Sequence, residues 1–214
     1  MTATIEITEK QAVGALPVVV AEENGVRAAL YGVLAHLFID SPSAELLQHV
    51  ADAGQLLADD ASPLVTEWSA LRNASTTADL KMVRGEYDEV FVGTGRPPVS
   101  LYASSYMSGR QRGQLLAELR DDLAQTGYAR AEDSSEYEDH LSALCDVMRG
   151  LVTDEAETAD GFERQKIFFR NYLAPWYGRV CETICQTEQT NYYRAVARFA
   201  NMFFTNEAEY FELA

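Results

Sequence analysis

The sequence predicts an all-α fold: a single globular helical domain of seven to nine helices with one long irregular mid-chain loop. Three observations carry this. Apolar residues recur at helix-face spacing along almost the whole chain. Ser-Pro pairs and hydroxyl–acid pairs stand where the apolar stripes begin, as helix starts require. No convincing strand stands out beyond Val18-Val19-Val20. At 214 residues and 47% hydrophobic content, the chain is long enough for a full core and too apolar for disorder.

The elements follow in order. Residues 25–39 place Val26, Leu30, Val33, Leu34 and Leu37 on one face. Ser41-Pro42 reads as the next start, ahead of Leu46, Leu47, Val50 and Ala51. Ser62-Pro63 repeats that signal before Leu64, Trp68 and Leu71. Thr76 with Asp79 reads as a capping pair opening a stretch with Leu80, Val83, Tyr87, Val90 and Phe91 inward. Gly93-Thr94-Gly95-Arg96-Pro97-Pro98 cannot continue a helix, because the prolines lack donors and the glycines favour turns. The irregular loop runs on through Val99-Ser100-Leu101-Tyr102-Ala103-Ser104. Helix resumes over 108–125, with Leu115, Leu116, Leu119 and Leu123 as its stripe. After a connection over 127–134, Ser135 with Glu138 reads as a capping box for a helix carrying Leu141, Leu144, Cys145, Met148 and Leu151. Another helix covers 159–173 and stops at Pro175. A short one follows through Val180 and Ile184. The last starts near Asn191 with Tyr193, Val196, Ala197, Ala200 and Phe203 inward.

Charge narrows the function. Acids outnumber bases 33 to 17, a net charge of -16, and the bases are 14 Arg and only 3 Lys. Such a field repels phosphate backbones and anionic headgroups, so neither nucleic acid nor a membrane surface is expected as partner. No run reaches the ~18 apolar residues of a membrane helix. The apolar stretch 12–21 is broken by Pro17 and flanked by Glu6, Glu9, Glu22 and Glu23, which is not the cationic front end of a secretory signal. The expected location is the cytoplasm. Three cysteines fit reduced, mostly buried thiols, with Cys181 and Cys185 on one helix face and Cys145 distant.

No catalytic or metal constellation stands out. His140 has Glu136 four residues before it rather than three, and no second Glu/His pair exists, so a di-metal bundle site is not expected. Gly93-x-Gly95 lacks the third glycine, the Lys-Ser/Thr pair and a preceding strand of a phosphate cradle. No cofactor and no catalytic residue are expected. What remains is an unusual surface. Glu132, Asp133, Glu136, Glu138 and Asp139 put five acids within eight residues. Acids there are explained in part by a helix dipole. They follow a loop bearing Tyr102 and Tyr106 around Ser104 and Ser105. Aromatic side chains in a proline-constrained loop line grooves, and acids at the rim hold cations, a combination suited to an Arg-bearing apolar peptide.

Several motifs resemble the TorD/DmsD-like chaperones, maturation proteins for molybdenum oxidoreductases. These are Arg27-x-x-Leu30-Tyr31-x-x-Leu34 with Phe38 and Pro42; Glu86-Tyr87-x-x-x-Phe91-Val92-Gly93; Tyr102-Ala103-Ser104-Ser105-Tyr106; Glu136-Tyr137-Glu138-Asp139-His140; Leu173-Ala174-Pro175-Trp176; and Tyr192-Tyr193-Arg194-Ala195. In the fourth, Tyr137 stands where the family has proline. The resemblance implies an all-helical chaperone domain over 25–214, with 1–24 an unassigned N-terminal extension. It implies a binding protein rather than an enzyme. The partner would be the apo catalytic subunit of a molybdenum oxidoreductase and its twin-arginine signal peptide, held until the cofactor is inserted and export begins. A NarJ-like assembly factor, whose client stays in the cell, is the alternative. Partner-binding residues carried over from the resemblance are Tyr102, Ser104, Tyr106, Glu136, Asp139 and His140. The family's oligomeric forms are a monomer and a domain-swapped dimer.

Overall fold

The computed structural model describes residues 23–54, 62–93, 95–108, 110–129, 136–154 and 159–213. Among them are nine α-helices: α1 (Glu23–Ile39), α2 (Ala44–Asp52), α3 (Pro63–Thr76), α4 (Leu80–Tyr87), α5 (Arg110–Thr126), α6 (Leu141–Asp154), α7 (Ala159–Tyr172), α8 (Tyr177–Gln186) and α9 (Tyr192–Leu213). A π turn, Asp88–Val92, extends α4, and a 3-10 turn, Ala103–Tyr106, sits in the mid-chain loop. The only β-type pairing among the described residues is an isolated bridge between Tyr102 and His140. The expected all-α domain is what forms. The run 18–20 and the extension 1–22 lie outside the described residues.

Helix starts explain most of the boundaries. Ser62 accepts the Val65 N–H with Pro63 in the first turn, as expected. Two caps differ from expectation. Ser43, not Ser41, caps α2 by accepting the Leu46 N–H, because Pro42 stands outside the helix and gives its carbonyl to Arg84. Asp79 alone caps α4, accepting the Met82 N–H, while Thr76 closes α3. A third difference concerns the site. The helix after the second connection starts at Leu141, so Glu138 is no capping-box partner; Ser135 lies outside the described residues.

The core is built on α1 against α6, α3 against α9 and α8 against α9. Tyr31, Leu34, Phe38, Leu144, Met148, Phe199, Phe203 and Phe204 are all fully enclosed. Within it lies a buried ion pair. Arg27 donates through Nε and Nη2 to the two carboxylate oxygens of Glu207, at 2.7 and 2.8 Å, and Tyr31 donates to the same carboxylate at 2.9 Å. Arg27 also reaches Gln165 of α7 at 3.2 Å and lies 4.4 Å from the Tyr210 ring centroid. Burial opposes the guanidinium charge, but the Glu207 contacts outweigh it, and Arg27 is held more basic than usual. One polar cluster thus ties α1, α7 and α9 together.

A second tie positions the functional loop. The Glu86 carboxylate accepts the backbone N–H groups of Asn191, Tyr192 and Tyr193 at 2.9, 3.0 and 2.7 Å, capping α9 from α4. One residue on, Tyr87 donates to the Phe38 carbonyl, and the Phe91 and Tyr193 rings meet edge-on at 4.9 Å. The chain then leaves the π turn at Gly93, whose φ of 61° suits glycine. A Cβ there would lie 3.1 Å from the Pro97 Cα.

Candidate functional site

The mid-chain loop is fastened to the segment that precedes α6. Ala103 donates its N–H to the Asp139 carbonyl at 3.0 Å, and Leu141 donates to the Leu101 carbonyl at 2.8 Å. Asp139, 1% exposed, accepts the Ser104 N–H on its carboxylate at 2.9 Å. That N–H lies at the start of the 3-10 turn, where a carboxylate complements unpaired donors. Sequence alone offered Asp139 as part of an acidic helix start; the fold uses it as a clamp between two loops.

The clamp gathers most of the expected site. Tyr102 donates its hydroxyl to Glu136. Its ring lies edge-on to His140 at 5.0 Å and to Tyr137 at 6.4 Å. His140 is buried, and its Nδ1 accepts the Ser142 N–H at 3.3 Å. Burial pushes this imidazole down to about 4, against the opposing pull of Glu136 and Asp139, so it is neutral near pH 7. Burial first, and the Glu136 bond second, raise the Tyr102 phenol well above its usual range. At neutral pH, then, the cluster presents a phenol and a neutral imidazole.

Tyr137, mentioned in the sequence only as a departure from proline, is 55% exposed with its ring beside Tyr102. A large exposed aromatic next to a carboxylate is what a guanidinium seeks. Nothing in the sequence distinguished it, because the pairing of 102 with 140 that sets it there is a tertiary event. Glu138 forms a two-bonded pair with Arg120 of α5, at 2.9 and 3.1 Å. Glu132 and Asp133 lie outside the described residues.

Tyr106 is placed differently. Its hydroxyl donates to the Ser100 carbonyl at 2.9 Å, and its ring packs on Trp176 at 5.2 Å. Arg179 donates to the Tyr106 carbonyl at 2.6 Å. Burial pushes the phenol up to about 12. Tyr106 therefore joins the loop to the segment ahead of α8, while Tyr102 faces Glu136 and His140. Two hollows are lined by other residues. One, of about 380 Å³, is walled by Cys181, Cys185, Arg198 and Met202 between α8 and α9. The other, of about 600 Å³, lies beside α4 at Gly85 and Val92.

The three cysteines are free thiols, and burial raises all three above their usual range. Among the described residues no group of three or more His, Cys, Asp or Glu side chains is arranged to hold a metal ion. None of the described helices is long and apolar enough to cross a membrane.

Residues 57–182 match the nitrate reductase delta subunit family. The chain is also 25% identical, over 225 aligned residues, to the chaperone protein TorD of Shewanella pealeana, with 95% of this chain and 97% of that protein covered. With more than half of its length inside the family match, the chain belongs to the nitrate reductase delta subunit family, as a TorD-like chaperone.

Proposed function

We propose that this protein is a maturation chaperone for a molybdenum oxidoreductase, binding the apo catalytic subunit and its twin-arginine signal peptide in the cytoplasm until the cofactor is inserted. It is an assembly factor and not an enzyme. The observation that carries the peptide-binding part is the clamp at Asp139, which gathers Tyr102, Glu136, Tyr137 and His140 into one apron. In this reading Glu136 and the Tyr102 and Tyr137 rings meet the guanidinium groups. Ser104, Asp139 and neutral His140 hold the apron in shape. Tyr106 anchors the loop to Trp176. Exposed ion pairs contribute roughly 0–1 kcal/mol each, so the apolar stretch behind the arginines supplies most of the affinity.

Titration calorimetry with a synthetic twin-arginine leader tests this. Micromolar or tighter binding is expected, with marked weakening when both arginines become lysines, since lysine lacks the planar fork that stacks on rings and spans a carboxylate. Absence of heat with leaders of every molybdoenzyme in the host would refute it. The match to the nitrate reductase delta subunit family favours a second reading, in which the client is retained in the cell and needs no export signal. Equal binding of the client with and without its first thirty or so residues would favour that reading.

A further inference from the structure

α5 touches both segments that form the apron, and it brings an arginine to each. Arg112, near its start, donates through Nε to the Ser104 carbonyl at 2.8 Å and through Nη2 to the Met107 carbonyl at 3.4 Å. Roughly two turns on, Arg120 grips the Glu138 carboxylate through Nε and Nη2, at 2.9 and 3.1 Å. Leu115, Leu119 and Leu123 form the buried face of the same helix.

The Arg120 pair is lopsided. The Glu138 side chain is only 10% exposed, while the Arg120 side chain is 52% exposed. The acid is sunk and the guanidinium stands in water. The Glu138 bond first, and its charge second, hold Arg120 more basic than usual, with smaller pulls from Asp139 and Tyr137. The guanidinium therefore lies within reach of the apron's own groups. An ion pair with a half-exposed arginine is screened by water and opens readily. A carboxylate with so little access to water keeps its demand for a cation when that arginine leaves.

We infer that Arg120 is an internal stand-in for the partner's arginine: it occupies Glu138 in the free protein, and an arginine of the leader takes its place when the peptide seats on the apron. The inference rests on the reading above in taking the leader as the ligand. The exchange is like for like. One forked grip on the carboxylate is broken and one is made, so the swap adds little affinity. Its effect is on selection. A peptide without a guanidinium that pushes Arg120 aside removes two bonds and returns none, and a lysine returns a point contact in place of the fork. Only the Arg120 side chain has to move. Arg112 keeps the start of α5 on the loop, and Tyr172, donating to Asp122 at 2.5 Å, fastens the far half of α5 to α7.

Arginine Nε–H resonances of the isotope-labelled full-length protein provide the test, with Arg120 assigned by the signal missing from Arg120→Gln. Saturation with a twin-arginine leader is expected to move this signal to the position of a solvated arginine. The same leader with glutamines for both arginines is expected to leave it in place. By calorimetry Arg120→Gln is expected to bind the leader about threefold more tightly, since the internal competitor is gone. That gain is expected to vanish when Glu138→Gln is already present. An Arg120 signal that stays put in the leader complex overturns the exchange, as does an unchanged or lowered affinity in Arg120→Gln, or a gain that persists without the Glu138 carboxylate. Acetyl-Arg-Arg-amide, which has no apolar stretch, separates this from the leader reading. If no leader binds, yet this amide and not its lysine counterpart frees Arg120, the leader reading falls and the exchange at Glu138 stands. If a leader binds with the Arg120 signal unmoved, the exchange alone falls. If no leader binds and the amide leaves Arg120 in place, both fall.

Discussion

Replacement of Asp139 separates two roles that the same carboxylate could play. It is 1% exposed, and its side chain accepts one backbone N–H, from Ser104, at 2.9 Å. A hydrogen bond to a charged group contributes roughly 1.5–3 kcal/mol, so Asp139→Ala is expected to weaken loop docking by about 2 kcal/mol. Asparagine keeps an acceptor in the same place and loses only the charge assistance, about half of that. Peptide affinity falls with the fraction of loop that remains docked. The limit is therefore roughly thirtyfold for alanine and roughly fivefold for asparagine, at about 1.4 kcal/mol per factor of ten. Calorimetry with the leader peptide, paired with hydrogen exchange at the Ser104 amide, measures both effects. Exchange is expected to quicken strongly in the alanine variant and little in the asparagine variant, with affinity following in the same order. If both variants lose affinity equally while Ser104 stays protected, Asp139 touches the arginines directly and the positioning role is wrong.

Three further outcomes follow from the same structure. His140 titrates near 6.5 when unfolded but is held to about 4 in the fold, so the unfolded chain takes up the proton first and stability is lost as pH falls from 6.5 towards 4. At about 1.4 kcal/mol per unit this amounts to about 3 kcal/mol, read as the difference in urea midpoints between wild type and His140→Gln across that range; parallel curves would contradict it. Arg27→Met strands the buried Glu207 carboxylate and is expected to cost roughly 3–5 kcal/mol, while Arg27→Met with Glu207→Met recovers most of the loss; an additive double variant would exclude the pairing as the cause. Glu86→Ala removes three bonds at the α9 N-terminus and is expected to cost roughly 1–2 kcal/mol, with faster amide exchange at Tyr192 and Tyr193; unchanged exchange there would exclude the cap.

The sequence made the helices legible because their apolar stripes are local. Leu141, Leu144, Cys145, Met148 and Leu151 are all buried, as the spacing implies. Caps were less legible. Ser43 lies one residue past Pro42, and pattern alone cannot say which hydroxyl turns inward. The capping box at Ser135 misled because Asp139 and His140 pair with the mid-chain loop in an extended bridge, a contact across more than thirty residues that no local rule reports. The motifs shared with the family turn out to be halves of contacts. Arg27 and Tyr31 hold Glu207, Glu86 and Phe91 meet Tyr193, and Tyr106 rests on Trp176. Their spacing advertised a family, while their partners were visible only in the fold. Tyr137 reads in the sequence only as a departure from the family's proline, because its exposure beside Tyr102 follows from the bridge and not from any pattern of its own.

The central claim is that an arginine-headed leader seats on the apron formed by Tyr102, Glu136 and Tyr137. A leader peptide carrying a photoreactive residue beside its arginine pair, irradiated with the full-length protein and mapped by mass spectrometry, tests it most directly. Crosslinks confined to 102–104 and 136–140 are the expected result. Crosslinks concentrated on the hollow between α8 and α9, at Gly178, Cys185 and Met202, would contradict it.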